Sequence, residues 1–278
     1  MRDFTLTKYE SLLQAVKKTN YSTCTVYDFL KNEPENCIIL RHDVDRAVNR
    51  NLAMAKLEHS YGIKSTYYFR HIEETFKPEI IRQMARMGHE IGFHYEVMDK
   101  ANGDMDRAIE IFKKELEDLR KATEKITEIN TVCMHGNPLK PWSNRDLWRK
   151  YDFRDFGLAG EPYLSIDYNK VFYLTDTGRT WADLKIRVKD TIDKSEGKSG
   201  ASEKADLRSI SSTDDVISLI QSEKISQICL LVHPNRWCED LGGWTKELLF
   251  QNVKNVGKAG IVWYRSRTRK KQIMKAGL

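Results

Sequence analysis

Apolar residues in this chain fall into short runs separated by stretches of helical period, and that rhythm predicts most of the fold. Cys37-Ile38-Ile39-Leu40, behind Pro34, has the length and enrichment of a buried strand. Comparable runs predict strands over 37–41, 65–69, 90–94, 131–135, 171–175 and 229–233. Between them, apolar spacing predicts helices over 47–61, 78–87, 105–121, 213–223 and 244–256, with Thr213-Asp214-Asp215 as a helix start. An amphipathic helix is expected over 4–18, and Ile261-Val262-Trp263-Tyr264 reads as a final strand. Strands alternating with helices imply an α/β protein built on a parallel sheet, open or closed into a barrel.

One domain over 1–278 is expected, with an N-terminal helical extension over 1–35. Residues 190–209, rich in Lys, Glu, Ser and Gly, break the rhythm and read as a mobile insertion. The net charge is +6, and much of the basic excess lies in Arg265-Ser266-Arg267-Thr268-Arg269-Lys270-Lys271. That run reads as a solvated tail over 265–278. No nucleic-acid motif accompanies it, so no nucleic-acid partner is expected. No apolar run approaches the roughly 18 residues that span a bilayer. Met1-Arg2-Asp3-Phe4 lacks the apolar core of a secretory signal, and a cytoplasmic protein is expected. The cysteines at 24, 37, 133, 229 and 238 form no Cys-x-x-Cys pair, which argues for a reduced compartment and against a cysteine zinc knuckle.

The chemistry gathers at strand ends. Arg41-His42-Asp43-Val44-Asp45 closes the first of these runs, and Asp43 and Asp45, two apart on extended chain, point the same way. Carboxylates aimed together need a cation or a proton between them. His94 ends the strand over 90–94, His135 the next, Asp176 another, and His233 a late one in Leu230-Leu231-Val232-His233-Pro234. Polar groups at the same end of successive parallel strands share one mouth. Imidazole with carboxylate suits a catalytic divalent metal, zinc or a similar ion, with a spare carboxylate as base and a histidine opposite as acid.

At these residues the chain resembles the polysaccharide deacetylases, the NodB-homology group or carbohydrate esterase family 4. Asp43-Val44-Asp45, Gly88-His89-Glu90-Ile91-Gly92-Phe93-His94 and Leu231-Val232-His233 carry the resemblance, which covers roughly residues 38–264. It implies an irregular (β/α) barrel and metal-dependent removal of acetyl groups from N-acetylated sugars. It also implies Asp43 as catalytic base, Asp45 and His94 as metal ligands, and His233 as acid. The family's second metal histidine falls at Met98, a thioether ill-suited to such an ion. The Arg-x-Pro motif is missing too, with Met134-His135-Gly136-Asn137-Pro138 roughly in its place. His135 is therefore expected as the third ligand, with Glu96 as the competing candidate.

Among the rest, Arg41 is a candidate for orienting Asp43. Asp176, Arg179 and Trp181 are candidates for holding a sugar or orienting a catalytic group. Trp142, Trp181 and Trp237 lie near strand-end loops, either to stack on a sugar ring or to fill the core. His42 is expected to face away from the site, and His59, His71 and His89 to be structural. The expected activity is deacetylation of an N-acetylated sugar or sugar conjugate, as a precursor of surface polysaccharide. Another small-molecule amide hydrolase, or a catalytically silent sugar-binding relative, is the alternative.

Overall fold

The computed structural model describes residues 2–181 and 210–275, the last of these as backbone alone at 258, 259 and 261–275. The insertion expected over 190–209 lies outside the described residues, as do residues 276–278. Among the described residues seven strands form one sheet: β1 (Ser22–Cys24), β2 (Cys37–Val44), β3 (Thr66–Phe69), β4 (Glu90–Tyr95), β5 (Val132–Met134), β6 (Phe172–Thr175) and β7 (Gln227–Val232). Every pairing is parallel, in the order β5-β4-β3-β2-β7-β6, with β1 beside β2. The helices are α1 (Leu6–Lys17), α2 (Val26–Asn32), α3 (Val48–Ser60), α4 (Pro78–Arg86), α5 (Val97–Lys100), α6 (Met105–Thr123), α7 (Pro162–Ser165), α8 (Thr213–Gln221) and α9 (Leu241–Lys275).

Local chemistry sets several of these boundaries. Thr5 and Thr25 cap α1 and α2 through their hydroxyls, Asp104 caps α6, and Ser212 with Asp215 forms a capping box at α8. The central strand β2 is wholly buried and has two differently covered edges. β7 pairs along Cys37–His42 on one edge; the other is divided between β1 at Cys37–Ile39 and β3 at Arg41–Val44. The segment over 1–35 therefore contributes a strand to the sheet as well as its two helices. Ser22–Cys24 was invisible as an apolar run because two of its three residues are hydroxylic.

Alternation along β2 sorts its side chains between two cores. Cys37 and Ile39 face one apolar cluster, and Ile38 and Leu40 face a second that includes Tyr9, Leu12 and Leu13 of α1. Arg41 and Asp43 share the first face. The sheet curls around that face: β5 lies three strands from β2, about 14 Å away if flat, yet Cys133 Sγ of β5 is 2.7 Å from the Arg41 guanidinium. Among the described residues the strand path does not close, since β5 and β6 end it. The result is an α/β fold with an incomplete parallel barrel.

At the C-terminal end the expectation fails. Residues 261–264 are helical, part of α9, and residues 265–275 continue that helix where a tail was expected. A four-residue apolar run cannot by itself distinguish strand from buried or amphipathic helix.

Candidate active site

All strands being parallel, their carboxyl ends lie on one rim, and five elements deliver a chemical group to it. β2 supplies Asp43 and, one residue past its end, Asp45; β4 supplies His94; the turns after β5, β6 and β7 supply His135, Asp176 and His233. Asp43, Asp45, His94, His135 and His233 line a single cavity of about 410 Å³. Gln251 and Lys254 of α9 line it as well.

Asp43 is buried and gripped by Arg41, whose Nε and Nη2 donate to its two carboxylate oxygens at 3.1 and 2.9 Å. Arg41 is itself fully buried, with its guanidinium over the rings of Tyr163 and Tyr68. A forked pair of this kind fixes the carboxylate in position as well as in charge. Burial pushes the Asp43 carboxyl up, but Arg41, then His94 and His233, outweigh it and hold the pKa below the usual carboxylate value.

Asp45 and two imidazoles form the second group. Asp45 Oδ1 lies 3.5 Å from His94 Nε2 and 3.6 Å from His135 Nε2. Two ligands about 2.1 Å from a tetrahedral ion sit about 3.4 Å apart, so both spacings fit a shared cation. Asp45 Oδ1 is buried and has no hydrogen-bond partner among the described residues, the condition of an acceptor awaiting one. His94 Nδ1 lies 3.0 Å from the Cys133 carbonyl, which can only accept, so Nδ1 carries the proton and Nε2 keeps its lone pair. Burial lowers the His94 pKa, yet Asp43 and Asp45 overcome it and raise it; His135 is lowered, chiefly by burial. Burial opposes ionisation of Asp45, but the neighbouring imidazoles of His94, His135 and His233 outweigh it and hold its pKa well below normal.

Between the two candidates for third ligand, geometry separates His135 from Glu96. Glu96 Oε2 accepts from Arg70 Nη2 at 2.6 Å and lies 3.5 Å from His135 Nδ1. It stands behind His135, on the side away from Asp45. Met98 is buried in α5, and its amide donates to Asn144 Oδ1. A further set of donor atoms, from Asp43, His94 and Cys133, lies within 4.8 Å of one another. Arg41 Nη2 is 2.9 Å from Asp43 and 2.7 Å from Cys133 Sγ. Its permanent charge disfavours a metal cation there.

His233 faces the rim from the opposite side. Its Nδ1 lies 2.7 Å from Asp176 Oδ1, and its backbone amide donates to Asp176 Oδ2 at 3.0 Å. Arg236 Nη1 and Trp237 Nε1 also donate to Asp176, each at 2.8 Å. Burial pushes Asp176 up, while Arg236 and His233 more than reverse it, leaving the pKa lowered and the carboxylate ionised. An ionised Asp176 fixes the proton on His233 Nδ1 and leaves Nε2 for chemistry.

Two of the expected contributors stand elsewhere. Trp181 is fully buried against Phe4 and Trp237, its Nε1 donating to Thr213. Arg179 donates to the Trp244 carbonyl and lies over the Phe4 and Trp244 rings. Both lie close to Asp176 in the chain, but the turn carries them into the core beside α1. Trp237 is buried as well and serves Asp176, while Trp142 donates to Asp99 at the outer side of α5. His42 and His89 face Glu58 on the other side of the sheet, and His71 sits by Glu115 and Asp118. Arg46, Asn235, Arg236, Gln251 and Lys254 were not foreseen as lining residues. Asn235-Arg236 directly follows the His233 strand end and was readable on that ground; Lys254, on a distant helix, carried no signal.

The Gly in the Gly88–His94 block has a physical cause. A Cβ at Gly92 would come within 2.4 Å of the Tyr68 ring and 2.9 Å of the Thr131 carbonyl. Tyr68 lies beneath Arg41 and shares a hydrogen bond with Thr131, so Gly92 makes room for the floor of the site.

No family model matches the chain, and no curated protein does. Among the solved structures similar to it are two. One is the Xyl-CE4 domain of a multidomain xylanase from the hindgut metagenome of Trinervitermes trinervoides, 15% identical over 81% of this chain and 85% of that one, with a TM-score of 0.36. The other is Bacillus subtilis PdaA, a family 4 carbohydrate esterase, 11% identical over 89% of this chain and 84% of that one, with a TM-score of 0.35.

Proposed function

We propose that the cleft hydrolyses the acetamido bond of an N-acetylated sugar or sugar precursor, in the making of surface polysaccharide. The supporting observation is the placement of an ionised, anchored carboxylate and a carboxylate-backed imidazole across one cavity from an unpartnered Asp45 oxygen between two imidazole nitrogens. The sugar class comes from the resemblance of the Asp43–Asp45, Gly88–His94 and Leu231–His233 blocks. Asp45, His94 and His135 would hold a divalent cation, zinc by the donor set. When bound, such an ion polarises a carbonyl oxygen and acidifies water.

The chain's own residues supply the proton traffic. Asp43 is anionic and held by Arg41, so it accepts a proton from the attacking water at a fixed position. His233, with Nδ1 committed to Asp176, delivers a proton from Nε2 to the departing amine. Arg41 keeps Asp43 from rotating, and Asp176 keeps the His233 ring in register.

The test is acetate release from N-acetylglucosamine conjugates by the full chain, with and without chelator, alongside metal content of the wild type and of His135→Ala. Release that is lost with chelator and restored by zinc, with metal content falling in the variant, is the expected result. Sugar binding with no release under any divalent ion overturns hydrolysis in favour of a binding role, and unchanged metal content removes His135 from the ligands.

A further inference from the structure

One wall of the cleft is furnished with polar groups, most of which acetamide hydrolysis does not use. Arg46 follows β2, Asn235 and Arg236 follow β7, and Gln251 and Lys254 belong to α9; all five line the cavity. Most of the charge here is already matched. Arg46 pairs with Glu247 at 2.7 Å, Arg236 with Asp176 at 2.8 Å, and Asp43 with Arg41. Lys254 is the exception: among the described residues its Nζ makes no ion pair, and it lies 4.6 Å from the Phe250 ring centre. The Arg46 guanidinium shares that ring, at 4.4 Å. Lys254 is solvent-exposed as a residue; partial burial of its ammonium and the like charges of Arg46 and Arg236 outweigh the pull of Asp45 and Glu247 and lower its pKa.

Two further groups are unspent. Asn235 is 3% exposed, and among the described residues its Oδ1 has no hydrogen-bond partner; Arg236, 6% exposed, likewise leaves Nε without one. An Asn side chain turned about its last bond offers N–H donors instead of its oxygen. Crowded cations and idle donors on a cavity wall are relieved together by one kind of guest, an anion.

We propose that this wall receives an anionic substituent of the substrate, a phosphate or a carboxylate, so that the cleft selects an N-acetylated sugar bearing negative charge. The inference rests on the hydrolytic reading for the acetamido end but is separable from it. Lys254 and Arg46 would meet the anion from α9 and the β2 end, and Asn235 and Arg236 from beneath. The Asp43–His233 span remains free for the amide. A cavity of about 410 Å³ falls within the usual range for small-ligand sites.

Calorimetric titration of the zinc-supplied full chain tests this with three probes: N-acetylglucosamine 1-phosphate, N-acetylglucosaminuronate and neutral N-acetylglucosamine. At least one anionic sugar should bind about tenfold tighter than the neutral one, the scale of one charge-assisted hydrogen bond. The tighter of the two names phosphate or carboxylate as the anion. In Lys254→Met that affinity ratio should fall about tenfold, while Lys254→Arg keeps it, and added salt should erode it in the wild type. The Lys254→Met arm separates this wall from an anion held by the metal alone. Equal affinities, no binding, or a ratio unchanged in Lys254→Met each overturn the proposal. Acetate release measured on the same samples reports separately: tight anion-dependent binding without release overturns hydrolysis and leaves the anion wall standing.

Discussion

The two faces of β2 both bury a carboxylate against histidine, and they treat it in opposite ways. On the His42 face, Glu58 is fully buried, and its oxygens accept from Tyr9 at 2.5 Å, His42 Nε2 at 2.7 Å, Ser65 at 2.5 Å and Tyr67 at 2.8 Å. On the Asp43 face, Asp45 Oδ1 and His135 Nδ1 are buried with no hydrogen-bond partner among the described residues. A saturated network gains nothing by admitting a ligand and serves to fix the fold. An unsaturated one has a standing cost that a cation, water or substrate relieves. Saturation therefore distinguishes the structural carboxylate Glu58 from the site carboxylate Asp45; the histidines do not divide this way, since His42 Nδ1, like His135 Nδ1, is buried without a hydrogen-bond partner among the described residues.

The sharpest test of that contrast is Asp43→Asn. Acetate release should fall about a thousandfold, the usual weight of a general base. The variant also strands the buried Arg41 charge, so chemical denaturation should show lost stability, and activity must be normalised to folded protein. Near-normal turnover by folded Asp43→Asn would move the base elsewhere.

Glu58→Gln should do the reverse, sparing turnover per folded molecule while costing about 3 kcal/mol of stability. Burial pushes the Glu58 carboxyl up, but His42 and its other partners hold it at about 2, against the ordinary 4.5. A depressed folded pKa stabilises above the unfolded value and is lost as pH falls through the folded one. The contribution, about 3 kcal/mol by linkage, is thus fully present above about pH 4.5 and disappears towards pH 2. Urea titrations across that window should converge for wild type and variant at the acid end, and a pH-independent gap would discredit the network.

Asp176→Asn should lower turnover about a hundredfold through misorientation of His233, with the acidic and basic limbs of the pH–rate profile displaced. A loss of stability with an unmoved profile would make Asp176 purely structural. The smallest effect belongs to Trp181→Phe: about 1–2 kcal/mol of stability from lost core volume, and sugar affinity within twofold. A larger affinity change would return Trp181 to the substrate.

Much of this site was legible because parallel strands deliver their ends to one rim. Asp43, Asp45, His94, His135 and His233 each close an apolar run, and a run's end is a local signal. The Arg41–Asp43 pair follows from the two-residue period of a strand. What could not be read depends on contacts distant in sequence. Lys254 and Gln251 reach the cleft only because α9 packs across it, and Trp181 is buried only because Phe4 and Trp237 enclose it. What favours His135 over Glu96 is Arg70, which claims the Glu96 carboxylate from the β3 end. The stretch 261–264 deceived because helix and strand both tolerate so short an apolar run.

The divided edge of β2 bears on how this protein tolerates truncation. Removal of the first 35 residues would strip β1 from Cys37–Ile39 and open that edge of the backbone beside β3, while the β7 edge stays paired. It would also uncover Ile38 and Leu40, which pack with the α1 residues Tyr9, Leu12 and Leu13. An open apolar strand edge is a template for another chain. Shortened forms of this protein should therefore self-associate through the very strand that carries Asp43, and lose solubility before they lose chemistry.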